Sequence, residues 1–221
     1  MLPKVLLAGF SLFFAAAAFA GDTGFDATIA DLGHRWAAAS YTLPDDTKDA
    51  AYLAVIDSAK HAVDSYPQRA EPLIWEAIAL ASAAKVEGGL GALGKAKQAR
   101  DLLVAAEAID PSAMQGAAYS TLGSLYAKVP RWPIGFGDLK KARSYLEKAL
   151  TIDPSGIDAN YFYADFLIDQ GDYAKAAQHL KLALAAPPRV GREDADAGRR
   201  REALALLTAL KEKHGADIAL R

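Results

Sequence analysis

The stretch Trp132 to Pro188, WPIGFGDLKKARSYLEKALTIDPSGIDANYFYADFLIDQGDYAKAAQHLKLALAAPP, decides the fold. Within it Ala142, Leu146, Ala149, Leu150 and Pro154 return 34 residues later as Ala176, Leu180, Ala183, Leu184 and Pro188. Small, large, small, large and then a helix-stopping proline is the signature of a helix-turn-helix repeat. Small residues such as Gly123, Ala164 and Ala176 belong where two helices cross, and Leu122, Leu146 and Leu180 belong in the grooves beside them. A single pair of this kind cannot bury its apolar face, so at least about three must stack.

Working outward, the pattern weakens in both directions. Ile109-Asp110-Pro111-Ser112 returns unchanged as Ile152-Asp153-Pro154-Ser155, with each serine placed to cap the helix that follows. Upstream, Pro72 opens a helix carrying Trp75, Ile78 and Ala79, whose partner carries Ala99, Leu103 and Ala106. Two earlier helices, about Ala27 to Tyr41 and Lys48 to Ser65, read as a degenerate first pair. Downstream, about Arg192 to Lys213 puts Ala203, Leu206, Leu207 and Leu210 on one face, as a terminal cap does. The expected architecture is all-α: a right-handed solenoid of about four helix pairs plus a C-terminal capping helix. The expected divisions are 21–71 for the degenerate pair, 72–190 for the clear repeats and 191–221 for the cap and tail. Alanine supplies much of the 52 % apolar content, which suits closely packed helices.

Residues 1–20 stand apart. Lys4, the apolar run Val5 to Ala17 and the small-x-small Ala18-Phe19-Ala20 form a secretory signal with cleavage after Ala20. The run is shorter than the ~20 residues a spanning helix needs, so no stable membrane insertion is expected after cleavage. The expected location is periplasmic or secreted. The sequence has no cysteine, which excludes disulfides, thiolate metal sites, cysteine nucleophiles and a lipoprotein anchor. A net charge of −2 gives no sign of a nucleic-acid partner.

Tyr119, Leu122, Gly123 and Tyr126 follow the W-x2-L-G-x2-Y start of a tetratricopeptide repeat with tyrosine for tryptophan, and Asn160, Tyr163, Ala164 and Leu167 take those places in the next pair. Through these residues the chain resembles the tetratricopeptide-repeat superfamily. WPIGFGDLKKARSYLEKAL, GIDANYFYADFL and APPRVGREDADAGRRREAL make it look like exported bacterial proteins of that class. The extended turn before a GD-x-x-K-A helix is similar to the periplasmic T-component of TRAP transporters. The first resemblance implies a scaffold for a protein or peptide partner. The second implies an accessory that holds a small solute or docks a solute-binding protein.

Two glycine-rich insertions, Lys85 to Lys95 and Val129 to Lys140, lengthen the repeat and should form loops on one face. In the second, Trp132 and Phe136 either present an aromatic contact surface or tuck over the ends of neighbouring helices. The structural reading is favoured, with Gly135 and Gly137 supplying positive φ and Asp138 capping the helix that starts at Leu139. The concave groove should be lined by Asp158, Tyr161, Asp165 and Ile168, by Ala117, Ser120, Ser124 and Ala127, and by Leu73, Glu76, Leu80 and Ala83. Lacking a ring of cations, it does not suit an acidic carboxy-terminal peptide. Arg189, Arg192, Arg199, Arg200 and Arg201, interleaved with Glu193, Asp194 and Asp196, read as a solvated face. The histidines His34, His61, His179 and His214 are scattered and carry no metal-binding spacing, no phosphate loop or nucleophile elbow appears, and neither an enzyme nor a cofactor is expected.

Overall fold

A computed structural model describes residues 22–219, so the proposed signal segment and its cleavage site lie outside the described residues. Among them are nine α-helices and no strand. They are α1 (Thr23–Tyr41), α2 (Lys48–Ser65), α3 (Ala70–Glu87), α4 (Gly89–Ile109), α5 (Ala113–Lys128), α6 (Leu139–Ile152), α7 (Ile157–Asp169), α8 (Tyr173–Ala185) and α9 (Glu193–Ala219). A short 3-10 turn, Asp45–Thr47, precedes α2. None of these helices is long and apolar enough to cross a membrane.

The repeat positions are the core. Ala142, Leu146, Ala164, Ala176, Leu180 and Ala183 are fully inaccessible. Gly123 of α5 sits so close to Leu146 and the Ala142 carbonyl of α6 that a side chain there would collide, which fixes that helix crossing. Each helix packs against its sequence neighbour, and the odd-numbered helices also touch in succession, α1 to α3, α3 to α5, α5 to α7 and α7 to α9. The even-numbered helices make no comparable contact with one another. The odd helices therefore crowd an inner layer and the even ones splay outside it, as in a curved solenoid. The inner layer then returns on itself: α9 packs against α1 as well as α7 and α8.

Several local expectations change. Asp22, Asp138 and Asp172 cap α1, α6 and α8 through their side chains. Ser112 and Ser155 cap nothing. The Ser112 hydroxyl donates to Asp110 Oδ1 at 2.7 Å, and α7 begins after Gly156. No side chain caps α7; Asn160 instead ties down the turn before it, its amide donating to the Pro154 and Gly156 carbonyls at 2.9 Å. The insertion Lys85 to Lys95 is not a loop. Only Gly88 and Gly89, both at φ +65°, interrupt it, and Ala92, Leu93 and the lysines around them continue α4. Helix formers outweigh the isolated Gly91 and Gly94, so this insertion lengthens a helix pair. Only the second insertion projects as a loop.

Candidate binding surfaces

Residues 158 and 161 lie one turn apart on α7 and share the face that α9 meets. The groove expected there is occupied by α9. Arg189 Nη1 donates to Asp158 Oδ2 at 2.8 Å and Arg199 Nε donates to Asp158 Oδ1 at 2.8 Å. The Arg199 guanidinium lies over the rings of Tyr161 at 4.5 Å and Phe162 at 4.7 Å, and its Nη1 donates to Glu202 at 2.6 Å. Arg189 also donates to the buried Asp196. Farther along the same contact, Arg192 covers the Trp75 ring of α3 at 4.9 Å. His34 of α1 meets Asp194 at 2.8 Å, and the Tyr41 hydroxyl donates to Glu202 at 3.2 Å. Gly198 lies flat against the Tyr41 ring, where any side chain would collide.

Burial alone would raise the Asp158 carboxyl, but Arg199 and Arg189 outweigh it and hold it far below the usual carboxylate range. Burial, with Glu202 adding to it against Arg199, pushes the Tyr161 phenol up to about 12. Both residues are engaged within the fold.

The reading of the arginine cluster as a solvated face is thus corrected for Arg189, Arg192 and Arg199. Balanced acids and bases in sequence look alike whether they pair on a surface or across helices. The distinguishing signal was spacing: 192, 196, 199, 203, 207 and 210 form one helical stripe, with Gly198 and Ala203 small enough for close approach. That curvature brings α1 round to meet the stripe is a property of the whole solenoid.

Several of the other expected groove residues are engaged or buried too, while Leu73, Ala117, Ser124, Ala127 and Ile168 are half-buried. Asp165 pairs with Lys128 of α5 at 2.9 Å, and Lys128 also holds Asp169 at 2.6 Å. Glu76 is not in the groove. It is 4 % exposed between α2 and α4, accepts from Gln98 at 3.4 Å, and its carboxyl is raised by burial against the pull of Lys60. Leu80, Ala83 and Ser120 are buried as well.

The loop 129–138 is built differently. Gly137 N–H donates to the Pro130 carbonyl at 3.0 Å, Gly135 N–H to that of Arg131 at 3.2 Å, and Asp138 N–H to that of Tyr126 at 2.9 Å. Gly135 and Gly137 do not have positive φ; they are needed because a side chain at either would strike the Pro130 or Val129 backbone. Asp138 accepts from the Lys140 and Lys141 amides at 2.9 and 3.1 Å, which lowers its pKa. Phe136 packs edge-on to Tyr126 at 5.4 Å, with Arg100 over its other side at 4.7 Å. Phe136 is thus half-buried anchorage, as the structural reading required. Trp132 is the correction to that reading: it is 86 % exposed, and Ile134 is 65 % exposed. The ring does not tuck over a helix end because Arg131 and Gly137 pair as a bridge and turn residues 132–134 outward.

Beside this loop, α6 and α7 enclose an open recess of about 340 Å³. Leu139, Lys140, Arg143, Glu147 and Gln170 edge it around Phe166, and the Arg143 guanidinium lies over the Phe166 ring at 5.0 Å. Lys140, Arg143 and Glu147 all lie along α6, with Arg143 3.9 Å from Glu147, so one cation is left in excess beside the apolar floor, which suits an acidic or carboxylate-bearing side chain.

Residues 134–191 match a family model described as tetratricopeptide repeat. That segment is similar to a tetratricopeptide repeat. The matched segment is about a quarter of the chain. It runs from the loop tip through α6, α7 and α8 and stops before α9, so both the recess and the expected groove residues of α7 fall within it. No curated protein matches the chain. The repeat is a protein-interaction architecture, and its work is typically binding rather than catalysis.

Proposed function

We propose that the protein is an exported tetratricopeptide-repeat scaffold, periplasmic or secreted, that holds a protein or peptide partner on the outer rim where α6 meets α7. The recess edged by Lys140 and Arg143 carries this reading. It lies inside the matched repeat, it is open to solvent, and a peptide side chain of acidic character fits its chemistry. The inner face between α1 and α7 is filled by α9, which leaves the rim as the accessible part of the repeat. Export follows from the signal pattern ending at Ala20, with the mature chain starting at Gly21.

A photo-reactive residue at Ser144, which edges the recess, should crosslink a polypeptide in the compartment where the protein accumulates. Adding Arg143→Glu should abolish that product while leaving the fold intact. Crosslinking unaffected by Arg143→Glu would remove the recess from the account. For export, Ala20→Tyr should block processing. A mature chain still beginning at Gly21 in that variant would place the cleavage signal elsewhere.

A further inference from the structure

We propose that the loop 129–138 docks the protein onto an anionic phospholipid surface. Three consecutive residues at its tip, Trp132, Pro133 and Ile134, are exposed, and all are apolar. The tip stands on a rigid base, held by the backbone bonds of Gly135, Gly137 and Asp138 and by the packing of Phe136 between Tyr126 and Arg100. Directly behind it lie Arg131, Lys140 and Lys141, all exposed. Arg131 and Lys140 form no ion pair among the described residues, and Lys141 reaches only over the Tyr126 ring. The one carboxylate at the base, Asp138, accepts from the amides of Lys140 and Lys141 and offsets one of the three cations. A local excess of cations therefore backs an apolar point on a chain whose net charge is −2.

This arrangement fits a bilayer better than a protein face. Tryptophan partitions to the headgroup level, where its ring is apolar on one side and wet on the other. Each basic residue held near an anionic surface strengthens binding by about fivefold. One weak signal gives only marginal attachment and a firmer hold takes two, such as an apolar insertion and a basic patch, and this loop supplies both. A stable protein interface needs ~800 Å² from each partner, and a tip of three residues falls well short of that. The inference goes beyond the scaffold reading and shares only Lys140 with it: the rim recess holds the polypeptide and the loop places the molecule at a membrane.

The chain contains its own reporter. Trp36 and Trp75 are buried, at 8 % and 1 % exposed, residues 1–20 contain no tryptophan, and Trp132 is thus the one tryptophan whose emission solvent governs. The full chain is mixed with vesicles of phosphatidylcholine containing phosphatidylglycerol. Trp132 emission should shift to the blue and be quenched by brominated lipid. Vesicles of phosphatidylcholine alone should give a response at least tenfold weaker, and salt near 1 M, where the screening length is ~3 Å, should abolish it. Ile134→Asp and Arg131→Glu keep the reporter, lie outside the recess and should each raise the lipid concentration needed by about fivefold or more, with unchanged thermal melting. Emission that stays unshifted on anionic vesicles overturns the proposal. If in addition Trp132→Ala weakens the polypeptide crosslink at Ser144, the loop belongs to the protein interface instead.

Discussion

Asp158 on α7 and Trp132 on the preceding loop lie in one repeat region, and both have the character of contact residues. One is a carboxylate on the inner face, where this architecture ordinarily receives a partner. The other is an aromatic ring on a connection that most such repeats keep short. The fold uses them in opposite ways. Asp158 is bound by Arg189 and Arg199 beneath a helix of its own chain, whereas Trp132 stands 86 % exposed on a loop whose base is held at several points. Residue type and position on a repeat do not by themselves distinguish a binding surface from a closure. What distinguishes them is whether another part of the chain completes the contact.

That contrast predicts unequal responses to mutation. Asp158→Ala should have the largest effect, because it leaves the nearly buried Arg199 without its main counter-charge. Breaking such a pair costs about 3 kcal/mol, or roughly 6–12 °C in melting temperature for a domain of this size. Denaturant titration followed by circular dichroism measures it. A loss below about 1 kcal/mol would mean that α9 is not held through Asp158.

Acid should weaken the same closure. The folded Asp158 carboxyl lies below its unfolded value of ~3.9, so its stabilisation is complete above that value and fades as pH falls through the folded pKa. Melting temperature should drop in that acidic window, with a smaller drop in Asp158→Asn, whose baseline is already lowered. Glu76 has the opposite sign. Its folded pKa is raised, so ionisation weakens the fold as pH rises above ~4.3. Glu76→Gln should therefore stabilise by up to about 1 kcal/mol at neutral pH, with the gain vanishing near pH 4. A destabilised variant at both pH values would show that Glu76 works as a paired anion.

The loop should respond least. Removing the cap with Asp138→Ala should cost ~1 kcal/mol. Trp132→Ala should change stability by no more than about 0.5 kcal/mol, since the ring touches little. Both are read from thermal melts, and a loss of several kcal/mol at Trp132 would mean that the ring packs into the core.

Much of this was legible in sequence, for identifiable reasons. The 34-residue recurrence from Ala142 to Ala176 encodes helix packing locally, so the pairs α5–α6 and α7–α8 could be read directly. The cap at Asp138 is a contact between residues two and three apart in sequence, and it was readable too. The closure of α9 on α1 was not, because it depends on curvature accumulated over four pairs and joins residues such as His34 and Asp194 across most of the chain. The stripe of Arg192, Asp196 and Arg199 carried the hint, but its mixed charge masked it. Trp132 was misread because the Asp138 cap, which is real, was extended to the whole loop, while Gly135 and Gly137 let the backbone cross over itself and turn the tip outward.

The closure of the inner face rests on α9 meeting α1. Because the chain has no native cysteine, His34→Cys and Asp194→Cys can be joined specifically by a short bis-maleimide. The two side chains are 2.8 Å apart and each is about half exposed, so reagent can reach both. Near-complete intramolecular crosslinking is expected in the native protein, with unchanged helicity and a higher melting temperature. Crosslinking no greater than that of a pair placed on α2 and α9, which do not touch, would contradict it and return the inner face to the role of an open groove.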